Sequence, residues 1–337
     1  MRLKTAPIIV FTISLFFSSF IFISRAAETI PAEISDADFW KMVSGFSEPD
    51  GYFQYEIVTS NEVSYQYVMP ELVKAAKPGG TYLGVGPEQN FTYIAAIQPK
   101  IAFIIDIRRD MMLEHLMYKA VFEMSPDRAA FLSNLFSRKR PADLTDDASV
   151  RTLFQSYAAV PADKMLAEEK LKEILGRLKT THKFPLTQED EARIRRIYLL
   201  FLREGVMSFS SSFLSPGYAT LMTLTDYQGK NWSYLATKES YDRIRAMHQK
   251  NLIIPLVGDF GGPTAIRSAG KYIRDHGATV GIFYLSNVED YIGAKWPAYV
   301  ANIASLPSDQ SSMFIRWNIG SSPILVSMTD FVRRQSR

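Results

Sequence analysis

Cysteine is absent from the 337 residues, which excludes disulfides, thiolate nucleophiles, cysteine-ligated metals and a lipid-modified cysteine anchor. Histidine is scarce as well. His115, His182, His248 and His276 are the only four, and none stands at the His-Glu-x-x-His spacing of a helical zinc site, so no metal is expected. A Gly-x-Ser-x-Gly nucleophile elbow is also missing, and the serine-rich stretch Ser208 to Ser212 reads as a loop with aromatics rather than as a hydrolase motif. Charge of one sign is lacking too: Lys and Arg number 38 against 35 Asp and Glu, and Arg2, Lys4 and Arg25 account for the whole surplus. A neutral body offers no general field for phosphate backbones, so a nucleic-acid partner is not expected. The short basic cluster Ser137-Arg138-Lys139-Arg140 beside Pro141 reads as a solvated loop. After Ile23 no second apolar run is long enough to span a membrane.

What the chain does have is apolar material. Hydrophobic residues make up 47% and aromatics 13%, enough for a sizeable core without staples. The first 27 residues stand apart, with Met1-Arg2-Leu3-Lys4, an apolar run from Ala6 to Ile23, and the small-residue stretch Ser24-Arg25-Ala26-Ala27. They read as an export signal, with an uncleaved N-terminal anchor as the alternative. Cations precede the run and Glu28, Glu33, Asp36 and Asp38 follow it, so both readings place the body outside the cytoplasm, periplasmic or secreted.

From residue 28 to 126 the chain reads as a lead-in helix and the first half of an α/β domain. Ser35 and Asp38 have capping spacing before a short helix. Thr81 to Gly86 is a β-prone run ending in two glycines, a helical stretch from Asn90 to Ala96 follows, and Ile101 to Ile105 is nearly all apolar before Asp106. Residues 127–250 show no clear buried strand and read as a mostly helical insertion, entered by a helix start at Ser125-Pro126. Its stripes run through Leu171, Ile174, Leu175 and Leu178, and through Ile194, Ile197, Tyr198 and Phe201. Tyr65, Tyr67, Trp232, Tyr234 and Tyr241 are candidate pocket aromatics, with core packing the plainer reading. Strand and helix alternate again over 251–337, beginning at Leu252 to Val257 and Thr279 to Leu285. The fold class expected is a doubly wound, mostly parallel, Rossmann-like α/β sheet.

In such a sheet, ligands bind beyond the carboxyl ends of the strands. That rule nominates Gly84 to Asn90, Asp106 to Arg109, Gly258 to Gly262 and Ser286 to Glu289. Gly84 and Gly86 would allow close backbone approach, and Asp106 at the tip of the second strand can accept from a ribose diol. The plainer alternative is a tight turn at the glycines and a helix cap at Asp106.

Tyr82-Leu83-Gly84-Val85-Gly86 followed by Ile104-Ile105-Asp106-Ile107 resembles the first two motifs of the class I S-adenosylmethionine-dependent methyltransferases. The strings from Gly84 to Asn90, Asp106 to Arg109 and Phe283 to Tyr291 also resemble a family of bacterial proteins, some exported, with a methyltransferase-like fold and no assigned reaction. The resemblance implies S-adenosylmethionine as cofactor, with Gly84 and Gly86 under its methionine part, Asp106 on its ribose and Asp259 near the adenine. Glu88 is a displaced substitute for the acid usual near the first motif, where this chain has Thr81 and Tyr82. An Asn-Pro-Pro-Tyr type of loop is absent; in its place Asn287 is a candidate to hold a substrate amine or amide and Glu289 to act as a general base. Export separates the body from a donor made in the cytoplasm, so the expected function is binding of a nucleoside-like or other small polar ligand. Methyl transfer to a small molecule or envelope component is the alternative. A nicotinamide-dependent enzyme ranks below both, because the third glycine of a dinucleotide fingerprint is missing.

Overall fold

The central strands are apolar on both faces, so they are stable only where helices cover both sides, and parallel pairing follows. The computed structural model describes residues 29–55, 58–203, 216–318 and 320–335. Its sheet comprises β1 (Thr81–Gly84), β2 (Ile101–Asp106), β3 (Ile253–Val257), β4 (Val280–Ser286), β5 (Met313–Arg316) and β6 (Ile324–Ser327). The order is β3-β2-β1-β4-β5-β6, with every pair parallel except the edge strand β6, which runs antiparallel to β5. This open, mostly parallel α/β sheet is consistent with a Rossmann-like fold. Alternate side chains show the two covered faces: Tyr284 of β4 lies 5.1 Å from Tyr93 of the helix Gln89–Ile97, whereas Phe283 meets Phe260 and Phe314. On the Phe283 side, Phe103 packs on Phe46 and on Tyr272 of the helix Ala265–Asp275.

Between β2 and β3 the described residues hold helices and no strand. The long helix Arg109–Met124 packs on both of these strands. The next helix starts at Arg128, two residues later than proline placement suggests, because the Asp127 side chain accepts from Ala130 N–H at 2.7 Å and caps it. Leu171, Ile174 and Leu178 are buried, as are Ile194, Ile197, Tyr198 and Phe201. The basic cluster is not a plain solvated loop. Ser137 is buried, Arg138 donates to the Tyr157 and Val160 carbonyls, and Arg140 pairs with Asp127 and Asp146. No described helix is long and apolar enough to cross a membrane, and the N-terminal segment read as an export signal lies outside the described residues, as does Ser208 to Ser212.

The lead-in chain does more than precede the sheet. After the helix Asp36–Phe46, capped by Ser35, it crosses the carboxyl ends of the strands in turn. Ser47 and Glu48 bond to Val257 at the end of β3, and Gly51 N–H donates to Ile107 just past β2. Ser60 and Glu62 reach the helix that follows β1, and Glu62 also reaches β4.

This strap is pinned by a part-buried charge network. His182, which ends a π-helical turn at Arg177–Thr181, contacts Asp36 at 2.9 Å through Nδ1 and Glu123 at 2.7 Å through Nε2. Asn251 donates to Asp36, while Lys119 donates to Glu123 at 2.6 Å and Arg177 approaches it at 3.5 Å. Burial favours a neutral ring, but the Glu123 and Asp36 carboxylates outweigh it and hold His182 above its ordinary value against the repulsion of Lys119. Both carboxylates are held below theirs: burial opposes this and is outweighed by the hydrogen bonds from His182 and from Asn251 or Lys119. A raised histidine adds stability below its unfolded pKa and loses it as pH rises through the folded one. The lowered carboxylates lose theirs only as pH falls through their own folded values. Urea unfolding of His182→Gln against the native chain is therefore expected to show a loss of about 1–3 kcal/mol at about pH 6 and a smaller one at about pH 9. An equal loss at both values would show that the imidazolium is not what holds the strap.

Candidate functional site

The strap and the strand ends enclose a cavity of about 730 Å³ beyond β1 to β4. That volume suits a small molecule of several ring and chain groups. Val85 to Pro87, Asp106 to Arg108, Gly258 to Phe260 and Ser286 to Val288 supply the strand-end walls, and Phe53, Tyr55 and Val58 to Glu62 come from the strap. Tyr291 and Trp317 complete an aromatic rim, in which the Phe53 ring lies 5.0 Å from Tyr291 and 5.6 Å from Tyr55. The candidate pocket aromatics do not line this cavity: Tyr65, Tyr234 and Tyr241 take the plainer place in the core, Tyr67 is exposed, and Trp232 stacks under Lys230.

Of the seven residues singled out in the sequence, Gly86, Asp106, Asp259 and Asn287 line this cavity and three do not. Gly86 sits at φ +77 with open space where a side chain would project. Gly84 has a different reason to be glycine: a Cβ there would run into Asn90 Oδ1 and the Tyr82 ring. Asp106 Oδ1 accepts from Arg108 N–H at 2.9 Å and Arg108 Nε at 3.3 Å. Asp259 accepts from Gly261 N–H and pairs with Lys295 at 2.5 Å. Asn287 Nδ2 donates to Asp290 at 3.3 Å.

Glu88 lies behind the first turn rather than in the cavity. It is fully buried, Oε1 accepts from Ser60 N–H at 3.3 Å, Oε2 has no hydrogen-bond partner among the described residues, and burial pushes its carboxyl up to about 8. Glu289 also faces away. It accepts from the Tyr299 hydroxyl and from Arg316, both at 2.8 Å, which commits it to packing beside the last helix.

Several groups that shape the site are silent in the sequence. His115 is buried under the glycine turn with Nε2 at 2.9 Å from the Gly86 carbonyl. Burial holds the ring down to about 4, so the neutral imidazole donates through Nε2. Asn90 Nδ2 donates to the carbonyls of Val85, Gly86 and Pro87, and together these bonds fix the turn from below.

Glu62 is the most consequential omission. It lines the cavity and is 1% exposed; its Oε1 accepts from the Tyr284 and Ser286 hydroxyls, each at 2.5 Å, and its Oε2 from Gln89 at 2.9 Å. Burial raises its pKa despite these donors. Ser286 reaches it from a left-handed backbone position, φ +51, a conformation that costs a non-glycine residue about 1 kcal/mol. The only sequence signal was an acid set among aromatic and β-branched residues at Val58 to Tyr65.

Glu48 fills a second expected ligand position. Its carboxylate accepts from the N–H groups of Asp259 at 3.2 Å, Thr264 at 2.8 Å and Ala265 at 2.9 Å, at the start of the helix Ala265–Asp275. Asp50 likewise takes the Arg109 N–H at 2.7 Å, at the start of the helix after β2. Among the described residues no cluster of His, Asp and Glu is arranged to hold a metal ion.

Fold and cavity thus define an α/β protein with a cleft along the carboxyl edge of its sheet, roofed by its own lead-in chain. A family model described as a domain of unknown function (DUF7790) matches residues 57–324, and the chain belongs to that family. The match takes in Glu62, all four strand-end loops and the helical segment. No curated protein matches the chain.

The two glycines of the turn are separable by experiment. Gly86→Ala is expected to cost about 1 kcal/mol from backbone strain alone. Gly84→Ala should cost about 2–3 kcal/mol in urea unfolding, because Asn90 must move and release the turn. Equal costs would show that Asn90 is not packed against Gly84.

Proposed function

We propose that the protein is exported and binds a nucleoside-like or other small polar ligand in the carboxyl-edge cleft. The observation that carries this reading is Asp106. Its carboxylate stands at the tip of β2, one strand away from the open Gly86 turn, with Oδ1 oriented by Arg108 and no hydrogen bond to Oδ2 among the described residues. A carboxylate so placed accepts from two adjacent hydroxyls, as on a ribose, while Val85, Ile107 and Phe260 offer apolar walls to a planar ring.

The second reading, transfer of a methyl group from S-adenosylmethionine, is favoured by the pairing of the glycine turn with Asp106 on neighbouring strands, as the methyltransferase resemblance implies. Gly86, Asp106 and Asp259 would hold that cofactor, which would supply an electrophilic methyl group. The chain's own part would be to bind and align the acceptor, and Asn287 is the polar side chain at the end of β4 placed to do so. Glu289 is committed elsewhere, so this reading has no general base at that position.

Calorimetric titration with adenosine, S-adenosylmethionine and S-adenosylhomocysteine tests both. Saturable binding is expected, weakened about tenfold or more by Asp106→Ala. Absence of binding by all three, in a folded protein, overturns the nucleoside reading. Transfer of a labelled methyl group to envelope material would favour the second reading, and binding without transfer the first. N-terminal sequencing and cell fractionation check the export assignment.

A further inference from the structure

Among the described side chains that line the cleft, the acids are Glu62, Asp106 and Asp259 and the bases Arg108 and Lys295, one acid more than bases. Asp106 lies 3.3 Å from Arg108 and Asp259 pairs with Lys295. Glu62 has no cation beside it among the described residues. A buried carboxyl without a counter-charge costs several kcal/mol in its ionised form, so it holds a proton or takes a cation.

Its hydrogen bonds leave room for one. A carboxylate offers about four acceptor positions. Two on Oε1 are filled by Tyr284 and Ser286 and one on Oε2 by Gln89, which leaves a single position on Oε2. A second observation weighs against the opposite ligand charge at two of the strand ends. The helix starts that follow β2 and β3, where an anion would ordinarily find free N–H groups, are occupied by Asp50 and Glu48 of the strap. The protein has placed negative charge where a phosphate would sit.

We infer that Glu62 is a cation-recognition site and that the ligand of this cleft carries an ammonium group, which docks on Glu62 Oε2. The inference rests on the reading of this cleft as the ligand site and adds the charge of what it takes. Tyr284, Ser286 and Gln89 are the positioning residues that hold the carboxylate in place at the cavity wall.

Two pairs of probes, each a cation and its neutral counterpart, test this on the full chain: 5′-amino-5′-deoxyadenosine against adenosine, and choline against 3,3-dimethyl-1-butanol. The expected result is that at least one cation binds about tenfold or more tighter than its neutral partner, and that Glu62→Gln brings the pair within about twofold. If adenosine binds and its amino derivative binds no better, the charge inference falls unless choline shows the preference, while the nucleoside reading stands. If neither nucleoside binds but choline outcompetes its isostere through Glu62, the nucleoside reading falls and the charge inference stands. Equal affinity within both pairs, or a preference that survives Glu62→Gln, overturns the inference. The comparison within the native chain needs no variant, so equal affinity there is decisive even where Glu62→Gln does not fold.

Discussion

The carboxyl edge of a parallel sheet presents the free N–H groups of the helices that follow each strand, and how those groups are satisfied governs what can bind there. In this protein the strap satisfies much of that edge from within. Glu48 takes three N–H groups around the start of the helix Ala265–Asp275, and Asp50 takes the first N–H of the helix Arg109–Met124. The fit is close: a side chain on Gly262 would collide with the Glu48 carboxylate. The cleft is thereby a compartment between the strand ends and a covering segment of the same chain.

A covering segment needs an anchor, since a strap of extended chain has little buried surface of its own. Its upstream end is held by the helix Asp36–Phe46, whose Asp36 enters the network with His182, Glu123 and Asn251. His182 belongs to the helical segment between β2 and β3, so that segment positions the strap as well as enlarging the core. Its downstream end is held at the site itself, where Ser60 contacts Glu88 and Gln89, and Glu62 contacts Tyr284 and Ser286. The same hydrogen bonds that close the strap therefore shape the cavity, and loosening one is expected to disturb the other.

The sequence shows the sheet well because its information is local. An apolar run such as Ile101 to Ile105, a glycine turn after Leu83 and an acid at Asp106 can each be read from adjacent residues. The strand ends then followed from topology, and with them Gly86, Asp106, Asp259 and Asn287 at the cavity. What stayed hidden depends on distant pairs. Glu62 meets Tyr284 and Ser286 across more than 220 positions of chain, and Glu48 meets Thr264 across 216. No spacing rule connects them. Glu88 and Glu289 show the converse. Both sit at the right place along the chain, yet one is turned into the interior and the other toward Tyr299 and Arg316. A residue's position on a strand-end loop fixes its neighbourhood, but rotation about the local helix decides whether its side chain reaches the cleft.

Glu88 carries the argument one step further. It occupies the position where the resemblance to methyltransferases would seek an acid to hold the polar part of the cofactor, but it is sealed behind the first turn with a carboxyl that burial pushes up to about 8. The acid that does border the cavity near that turn, Glu62, comes from a segment before the first strand and depends on Ser286 holding a strained backbone at the end of β4. A carboxyl has thus been supplied to the cleft by a route that the glycine turn does not provide. An open, mostly parallel α/β sheet is recognised from its strand ends, whereas what can bind beyond them depends on what the covering chain brings. For this protein the covering chain brings carboxylates, and the chemistry of the cleft follows from them.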